Sequence, residues 1–399
     1  MNPRVRILAG ALTGMALLAA LFWAGSIRRP ALSGPLPAAA SAWTWTLPRG
    51  FEPPAVPADN PMSEEKFQLG RRLFHDKRLS GNGTQSCSSC HLQRLAFTDG
   101  KAVSIGSTGD ATARSAMSIA NVAWYPTLTW ANPSQSSLEI QAVVPMFVEN
   151  LAVELGLNDS NKAEVLGRFR QDADYRQRFR AAFPDEAEPI HFMNIIKAIA
   201  TFERGVISAG SRFDRAQAGE LTLSAAEERG RQLFYSEQAQ CSGCHSGFNF
   251  SDQTVHASSK KVETPFHNTG LYNIDGHGSY PADNPGLIGV MPQPVSHTGQ
   301  FRAPSLRNIA VTAPYMHDGS IPTLQAVLDL YAEHGREIRT GPNRGDGRRN
   351  PFKDPRIDRI RLSAQDKSDL LAFLGTLTDE AFLNDPRFSD PFAQTSAAR

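Results

Sequence analysis

Apolar residues recur at helical spacing along much of the chain, and few stretches alternate in the manner of a strand. Between Ile190 and Ile207 they repeat every three or four residues, which predicts a helix with one buried face. That face carries Phe192, Met193, Ile195, Ile196, Ile199, Ala200 and Phe202. Serines that can cap a helix N-terminus predict three further helices, after Ser63, Ser224 and Ser363. Since loops rich in glycine, proline and asparagine fill residues 250–300 and 335–358, we expect a mainly α fold with long loops.

Two of these three capped helices share a short sequence. The first contains GRRLFH at residues 70–75, and the second contains GRQLFY at residues 230–235. Each leads through a loop into the same cysteine motif, which is CSSCH at residues 87–91 and CSGCH at residues 241–245. An internal repeat of this kind predicts two domains of one design.

The cysteine motif carries the chemistry. In C-x-x-C-H each thiol can bond to one vinyl group of a haem, and the histidine becomes the proximal ligand of the iron. A single copy would also suit a redox dithiol or half a zinc site. Two complete copies use all four cysteines of the protein and leave none for those alternatives. We therefore predict a dihaem c-type cytochrome whose haem-binding residues are Cys87, Cys90, His91, Cys241, Cys244 and His245.

The N-terminus indicates export. A basic start, MNPRVR, precedes an uncharged apolar run from Ile7 to Gly25, and small residues at 38–42 offer a cleavage site. The run is long for a signal peptide and close to membrane-spanning length, so a cleaved signal and an N-terminal anchor both stay open. Because haem is attached to C-x-x-C-H outside the bacterial cytoplasm, we expect a periplasmic protein.

The length of the chain limits the number of domains, and its charge limits the kinds of partner. A chain of 399 residues can hold two or three domains with real cores. Its 41 basic and 40 acidic side chains give no large net field of the kind that attracts nucleic acid. The predicted division is a signal peptide or anchor at residues 1–28, a linker at 29–59, two cytochrome c-like haem domains at 60–210 and 211–385, and a tail at 386–399.

Four short runs outside the cysteine motifs resemble a known family. LFHDKRLS at 73–80, RAPSLRN at 302–308 and APYMHDGS at 313–320 resemble the bacterial dihaem cytochrome c peroxidase superfamily, and within it the MauG-like branch. This resemblance extends over residues 60–390. LTWANP at 128–133 further resembles MbnH-type dihaem enzymes, which are found with methanobactin and copper-related genes. The resemblance implies two covalently bound haem c groups and an oxidoreductase of the peroxidase type.

For the first haem, the resemblance implies an iron with one open face. Peroxidases of the superfamily close that face with a histidine until the enzyme is reduced. Here no histidine occurs between His91 and His191, and the aligned residue is Ser107. Met117 is expected in the core rather than on the iron. His91 is therefore predicted to be the sole protein ligand.

The resemblance also implies which residues act on peroxide at that face. A carboxylate there can move a proton from the inner to the outer peroxide oxygen. Gln141, Pro145 and Glu154 match the family's distal glutamine, proline and glutamate. Glu154 lies three residues beyond the usual spacing, so Glu149 remains a competitor, and either could instead be a solvated loop carboxylate.

For the second haem, the resemblance implies a tyrosine ligand opposite His245. Fourteen residues after His317 stands Tyr331, where peroxidases have methionine and MauG-like proteins have tyrosine. A phenolate is a hard anionic donor that favours high oxidation states. Packing on an apolar helix face is the alternative for Tyr331, and Met316 is a second candidate ligand. His317 is implied to contact a haem propionate or to lie between the haems, and His267 either shares that role or is a loop histidine.

Trp130 matches a tryptophan that lies between the haems in this family, where an easily oxidised indole would couple the two irons. Trp124 represents the alternative of a core tryptophan. The residues that align with the family's calcium site are Arg114, Ser115, Thr312 and Pro314. The family has asparagine where this chain has Ser115.

The sequence is compatible with three functions. The resemblance favours a periplasmic dihaem oxidase that uses hydrogen peroxide to form high-valent haem iron and oxidises a partner protein by long-range electron transfer. The target is expected to be a tryptophan, and the MbnH resemblance implies a copper-binding partner and kynurenine as product. The first alternative is a cytochrome c peroxidase that detoxifies peroxide with a small redox-protein donor. The second is a non-catalytic dihaem electron carrier, which would have two ligands on both irons.

Overall fold

The computed structural model describes residues 43–48, 50–147, 153–290 and 294–393. The predicted signal peptide or anchor, much of the linker, and Glu149 lie outside these residues. The helices of the described part are α1 (Glu64–His75), α2 (Leu138–Phe147), α3 (Lys162–Gln171), α4 (Ala173–Ala182), α5 (Phe192–Arg204), α6 (Arg212–Gln217), α7 (Ala225–Phe234), α8 (Leu324–Ala332), α9 (Ala364–Gly375) and α10 (Glu380–Asn384). Over those residues we find no helix with the length and apolarity that a bilayer crossing requires.

The fold is mainly α, as predicted. The strands found in the described residues are β1 (Glu337–Ile338) and β2 (Gly345–Asp346), which form a short antiparallel pair. Long loops connect the helices between residues 250 and 323, where the chain is rich in glycine and proline.

Helices begin where the capping serines predict. The hydroxyl of Ser63 accepts a hydrogen bond from the backbone N–H of Lys66 at 3.2 Å, at the start of α1. Ser224 and Ser363 form reciprocal capping boxes at the starts of α7 and α9. These caps satisfy backbone donors that the first turn of a helix leaves free.

The internal repeat builds two equivalent helix crossings, α1 on α5 and α7 on α9. In each, the glycine of the repeated sequence lies at the closest approach. A Cβ at Gly70 would lie 1.8 Å from the carbonyl oxygen of Ala198, and one at Gly230 would lie 1.9 Å from that of Asp369. Only glycine allows the helices this separation, because any side chain would collide with backbone. The crossings position the two cysteine motifs that follow α1 and α7.

Helix α5 buries the face that its apolar pattern predicts, and polar residues such as Asn194, Thr201 and Glu203 are buried as well. Phe202 packs against Phe67 and Phe74 of α1 with ring centroids 5.4 and 5.0 Å away. Met193 departs from the prediction, because it lies in the first turn of the helix and is 53% exposed. An amphipathic pattern fixes the face of a helix but not whether its first turn is covered by another element.

Residues on both sides of the predicted haem domains pack against them. Trp43, in the predicted linker, contacts Phe67 of α1 with ring centroids 5.4 Å apart. At the other end, Phe388 is buried, and the guanidinium of Arg71 donates to the carbonyl of Ser389 at 2.7 Å. The C-terminal segment therefore returns to the helix that precedes the first cysteine motif.

Candidate haem sites

The first cysteine motif presents a histidine of defined tautomer. Nδ1 of His91 lies 2.8 Å from the carbonyl oxygen of Phe97, and since a carbonyl can only accept, Nδ1 carries the proton. Ala96 and Phe97 have φ angles of 49° and 64°, and this tight turn returns the carbonyl to the ring. Nε2 is thereby left as the lone-pair nitrogen, which is the atom that a neutral histidine offers to a metal.

The second motif repeats this arrangement. Nδ1 of His245 donates to the carbonyl oxygens of Phe250 at 3.1 Å and Pro304 at 3.0 Å. Phe250 again has a positive φ angle, of 50°. Burial lowers the pKa of both motif histidines, which favours the neutral form that binds iron. None of the four cysteines is bonded to another, so all remain available for haem.

A cavity of about 190 Å³ opens beside the second motif. Its wall includes both cysteines and the histidine of that motif and is otherwise largely apolar, with side chains from α7, α8 and α9 such as Phe234, Leu328 and Leu370. Tyr331 on α8 lies in the same wall. Burial raises the pKa of Tyr331, so its phenol is neutral in the protein alone, and a metal cation would have to displace its proton for phenolate binding.

Two buried polar groups of that wall have no protein partner. Nε of Arg302 and Nε2 of His317 are both inaccessible and make no hydrogen bond within the described residues. Buried polar groups are nearly always paired, so these two indicate a missing acceptor. The carboxylates of haem propionates are acceptors of the required charge. The motif histidines, the free thiols, the apolar cavity and these two groups together fit haem.

A second cavity, of about 80 Å³, shares Trp130 with the first. Trp130 lines both cavities, and its Nε1 donates to the carbonyl oxygen of Ser115 at 3.0 Å. Trp124 is fully buried, lines neither cavity, and donates to the carbonyl of Glu52 at 2.8 Å. The two tryptophans therefore differ in position, with Trp130 beside the second haem cavity and Trp124 in the core.

The residues aligned with a calcium site border this smaller cavity. Ser115, Thr312 and Pro314 all line it. The described part of its wall contains no carboxylate, but it does contain the guanidinium groups of Arg302 and Arg307. Ca²⁺ prefers several oxygen ligands that include carboxylates, so this wall does not suit it.

Glu154 is held near the first motif by backbone contacts. Its carbonyl accepts from the N–H of Ser107 at 3.0 Å, and a Cβ at Gly106 would lie 1.9 Å from the carbonyl oxygen of Val153. One oxygen of the Glu154 carboxyl is buried without a hydrogen-bond partner, and burial raises its pKa. Burial raises the pKa of the Cys87 thiol, and the Glu154 carboxylate contributes to that rise.

The other two predicted distal residues lie beside Glu154. The carbonyl of Pro145, in α2, accepts from the N–H of Leu155 at 3.1 Å, which joins the end of α2 to the glutamate. Gln141 precedes Pro145 by four residues and so shares its face of the helix. Ser107, Gln141, Pro145 and Glu154 therefore lie in neighbouring segments, whereas Met117 is separate, with its sulfur 3.4 Å from the guanidinium of Arg302.

The two other predicted histidines have different surroundings. His317 is buried and stacks on Phe301 with ring centroids 3.6 Å apart, and burial lowers its pKa. His267 lies between Asp252 at 2.6 Å and Asp354 at 2.9 Å. Burial opposes its charge, but the two carboxylates outweigh burial and raise its pKa to about 11. His267 is thus a charged member of an ion cluster at the cavity wall, not a free loop histidine.

Two buried charged residues near the cavities or the first motif were not singled out from the sequence. Arg302 lines both cavities, and its guanidinium lies 3.8 Å from the ring centroid of Tyr125. Glu203 on α5 is buried, influences the Cys87 thiol, and has a pKa raised by burial to about 8. Arg302 belongs to the RAPSLRN run and Glu203 to an apolar helix, but no local pattern indicates that either faces a cofactor.

Two C-x-x-C-H motifs on equivalent helix crossings, with a haem-compatible cavity at the second, define a dihaem c-type cytochrome. The chain belongs to the di-haem cytochrome c peroxidase/MauG family. The family model described as CCP_MauG, di-haem cytochrome c peroxidase, matches residues 64–222, and a RoxA-like cytochrome c model matches residues 300–333. Members of this family are di-haem oxidoreductases, which implies haem c as the cofactor.

Individual relatives bear both family names. Cytochrome-c peroxidase IdrP1 of Denitromonas iodatirespirans is 35% identical over 85% of this chain and 89% of its own length. The methylamine utilization protein MauG of Methylophilus methylotrophus is 32% identical over 84% of this chain and 91% of its own. A crystal structure of a MauG-like protein associated with microbial copper homeostasis is 59% identical, with a TM-score of 0.86 over 88% of this chain and all of that one.

Proposed function

We propose that this protein is a periplasmic MauG-like oxidase that takes oxidising equivalents from hydrogen peroxide and withdraws electrons from a tryptophan of a partner protein. The observation that carries the proposal is the arrangement around Trp130, whose indole forms part of the wall of the second haem cavity and of the adjoining smaller one. When bound, each haem supplies an iron that can exchange electrons with peroxide or with protein side chains.

Glu154 is proposed to handle the peroxide proton at the first haem. One oxygen of its carboxyl is buried without a partner, and its charge acts on the Cys87 thiol of the first motif, so it can accept a proton and return it. Ser107 stands where reductively activated peroxidases have a ligand histidine, and a serine hydroxyl is a poor ligand for haem iron. Cys87 and Cys90 are proposed to attach this haem covalently, with His91 as its single protein ligand.

At the second haem, His245 and Tyr331 are proposed as the two ligands, with Cys241 and Cys244 as attachment points. Tyr331 lines the cavity beside this motif, and its phenolate would favour the oxidised iron. Met316 lines the same cavity and is the competing ligand. Trp130 is proposed to exchange electrons between the two sites, so that both share the oxidising equivalents.

The partner is proposed to be an exported copper-binding protein. The support is the 59% identical MauG-like protein, which is described as associated with microbial copper homeostasis. Periplasmic location is supported by the export signal in the sequence and by the cell compartment in which C-x-x-C-H motifs acquire haem. The resemblance to MbnH-type enzymes implies kynurenine as the product. Its formation would combine electron withdrawal with addition of oxygen from water or dioxygen and release of the indole C2 as formate.

Peroxide removal is the second candidate function. It is favoured by the name of the 35% identical relative, a cytochrome-c peroxidase. In that case a small redox protein would supply the electrons, and no side chain of a partner would be modified.

The test is electron paramagnetic resonance of the ferric protein, followed by rapid mixing with peroxide. We expect one high-spin and one low-spin signal, and reaction with peroxide without a priming electron. Trp130→Phe should keep both signals but slow oxidation of the partner, and Trp124→Phe is the matched control. Two low-spin signals, with reactivity only after one-electron reduction, would instead identify a reductively activated peroxidase.

A further inference from the structure

The wall of the second haem cavity continues outward into two buried tyrosines. Phe301 and His317 line the cavity. The ring of Tyr280 lies 6.2 Å from that of Phe301 and 6.4 Å from that of His317, measured between centroids. Tyr272 lies 5.3 Å from Tyr280 in an edge-on contact. A continuous series of aromatic rings therefore leads from the cavity to Tyr272.

The two tyrosines differ in what accepts their hydroxyl proton. Tyr280 donates to the side-chain amide oxygen of Asn268 at 2.8 Å. Tyr272 donates to Oδ2 of Asp318 at 2.6 Å. A phenol that loses an electron becomes a strong acid, and a carboxylate can take its proton whereas an amide oxygen cannot. Tyr272 is therefore the easier of the two to oxidise.

We propose that Tyr272 is a redox-active tyrosine that receives an oxidising equivalent from the second haem site, with Asp318 as its proton acceptor. The inference rests on the proposed function, because reaction with hydrogen peroxide supplies the oxidant. Tyr272 gives one electron, through Tyr280, to the oxidised haem site, and its phenolic proton passes to Oδ2 of Asp318. The products are a neutral tyrosyl radical, a protonated aspartic acid and a haem site reduced by one electron.

The resting charges of the pair suit this step. Burial and the neighbouring carboxylate raise the pKa of Tyr272 to about 12, so the phenol is protonated before oxidation. The carboxylate of Asp318 accepts from the Tyr272 hydroxyl on Oδ2 at 2.6 Å and from the N–H of Ser320 on Oδ1 at 3.0 Å, so both of its oxygens are held as acceptors. Asp318 is only partly buried, which leaves a route for the proton to water.

The chain contains a matched control in a different place. Tyr175 is fully buried and donates to Oδ2 of Asp76 at 2.8 Å, so it is also a tyrosine–aspartate pair. Its ring lies near the guanidinium groups of Arg72 and Arg78, at 5.5 and 5.3 Å. Its aromatic neighbours, Phe169 and Phe179, line neither cavity, so among the described residues no ring contact links it to the second haem cavity. If a hydrogen bond to a carboxylate were enough for radical formation, both Tyr175 and Tyr272 would be oxidised. We expect the radical on Tyr272 only, because Tyr272 is also linked to the second haem cavity.

The experiment treats the protein carrying both haems with hydrogen peroxide in the absence of any partner, then freezes it for electron paramagnetic resonance. We expect a radical signal that narrows when the protein contains ring-deuterated tyrosine. Tyr272→Phe should lose most of this signal, and Tyr175→Phe should retain it. Asp318→Asn should also lose signal, and Asp318→Glu should restore part of it, because the effect lies in proton acceptance rather than in packing.

The haem absorption spectrum separates failure of this inference from failure of the proposed function. If peroxide changes the haem spectrum while Tyr272→Phe leaves the radical signal intact, Tyr272 is not the site. If peroxide leaves the haem spectrum unchanged, the proposed function fails. Tyr272 is then tested with the one-electron oxidant hexachloroiridate and a nitroso spin trap, with adducts mapped by mass spectrometry. An adduct centred on Tyr272 supports it as the most easily oxidised tyrosine, and adducts spread evenly over the tyrosines overturn the assignment.

Discussion

Replacement of Glu154 by glutamine should separate the chemistry of the first haem site from the stability of the fold. Glutamine has the shape of glutamate but cannot accept and return a proton at neutral pH. A lost general acid–base group slows a reaction by about 10²–10⁴-fold, which corresponds to about 2.7–5.5 kcal/mol in the barrier. We therefore expect the reaction of the ferric protein with peroxide to slow by this factor in Glu154→Gln, with both haems retained.

Stability should not fall in the same variant. Burial raises the pKa of Glu154 in the folded protein above its value in the unfolded chain. The folded state then binds more protons than the unfolded state between those two pKa values. Its contribution to stability is greatest at low pH and is lost as the pH rises through the folded-state pKa. At neutral pH, above the unfolded-state pKa, this raised pKa opposes folding, so Glu154→Gln should leave the melting temperature unchanged or raise it slightly.

Stopped-flow absorbance at several pH values measures the first effect, and thermal unfolding measures the second. In the wild type the rate should rise with pH and level off once Glu154 is ionised, and this dependence should flatten in Glu154→Gln. Glu203→Gln is the matched control, since Glu203 is also buried and influences the Cys87 thiol. A slow reaction in Glu149→Gln or Glu203→Gln, with Glu154→Gln unaffected, would refute the assignment.

Three further predictions concern the attachment, the second ligand and the fold. Cys87→Ser combined with Cys90→Ser should keep one covalent haem on a denaturing gel stained for haem, and full stain would contradict attachment at the first motif. Tyr331→Met should keep both haems and raise the reduction potential of the second, measured by redox titration, because a thioether replaces an anionic ligand. An unchanged potential would point to another ligand. Gly230→Ala should lower the free energy of unfolding, since about 1–3 kcal/mol of overpacking outweighs about 1 kcal/mol of gained helix propensity. Gly167→Ala, where nothing lies within 4 Å of the added Cβ, should instead stabilise in the same denaturant titration.

The sequence predicts best those features of the fold that depend on residues close together in the chain. The helix starts at Ser63, Ser224 and Ser363 depend on a hydroxyl and a backbone N–H three residues apart, so they can be recognised without the rest of the fold. The repeated sequence around Gly70 and Gly230 predicts two equivalent units. It does not predict that the glycines are the crossing points, because that depends on the backbone of helices more than one hundred residues away.

The parts of the candidate site that the sequence indicates directly are those whose residues are neighbours in the chain. Each cysteine motif can be recognised from five consecutive residues. The residues predicted to act on peroxide come from three separate segments, and they are Ser107, Gln141, Pro145 and Glu154. Their proximity could be expected only from the family resemblance. The turn of backbone that holds Glu154 against Ser107 depends on Gly106, whose missing side chain allows contact with the carbonyl of Val153.

Arg302 and His317 show why the remainder could not be predicted. In a chain considered alone, a buried guanidinium nitrogen and a buried imidazole nitrogen without partners would each cost free energy, and folding would select against both. They persist here at the wall of a cavity that suits a haem with two carboxylates. The acceptors that would pair with these two nitrogens belong to the haem and not to the polypeptide. The amino-acid sequence alone therefore does not reveal this hydrogen bonding. Replacement of Arg302 by Met should therefore destabilise the haem-loaded protein more than the haem-free protein. Nε gains an acceptor only when haem is bound, whereas the 2.8 Å hydrogen bond from Nη1 to the carbonyl of Thr127 is lost in both.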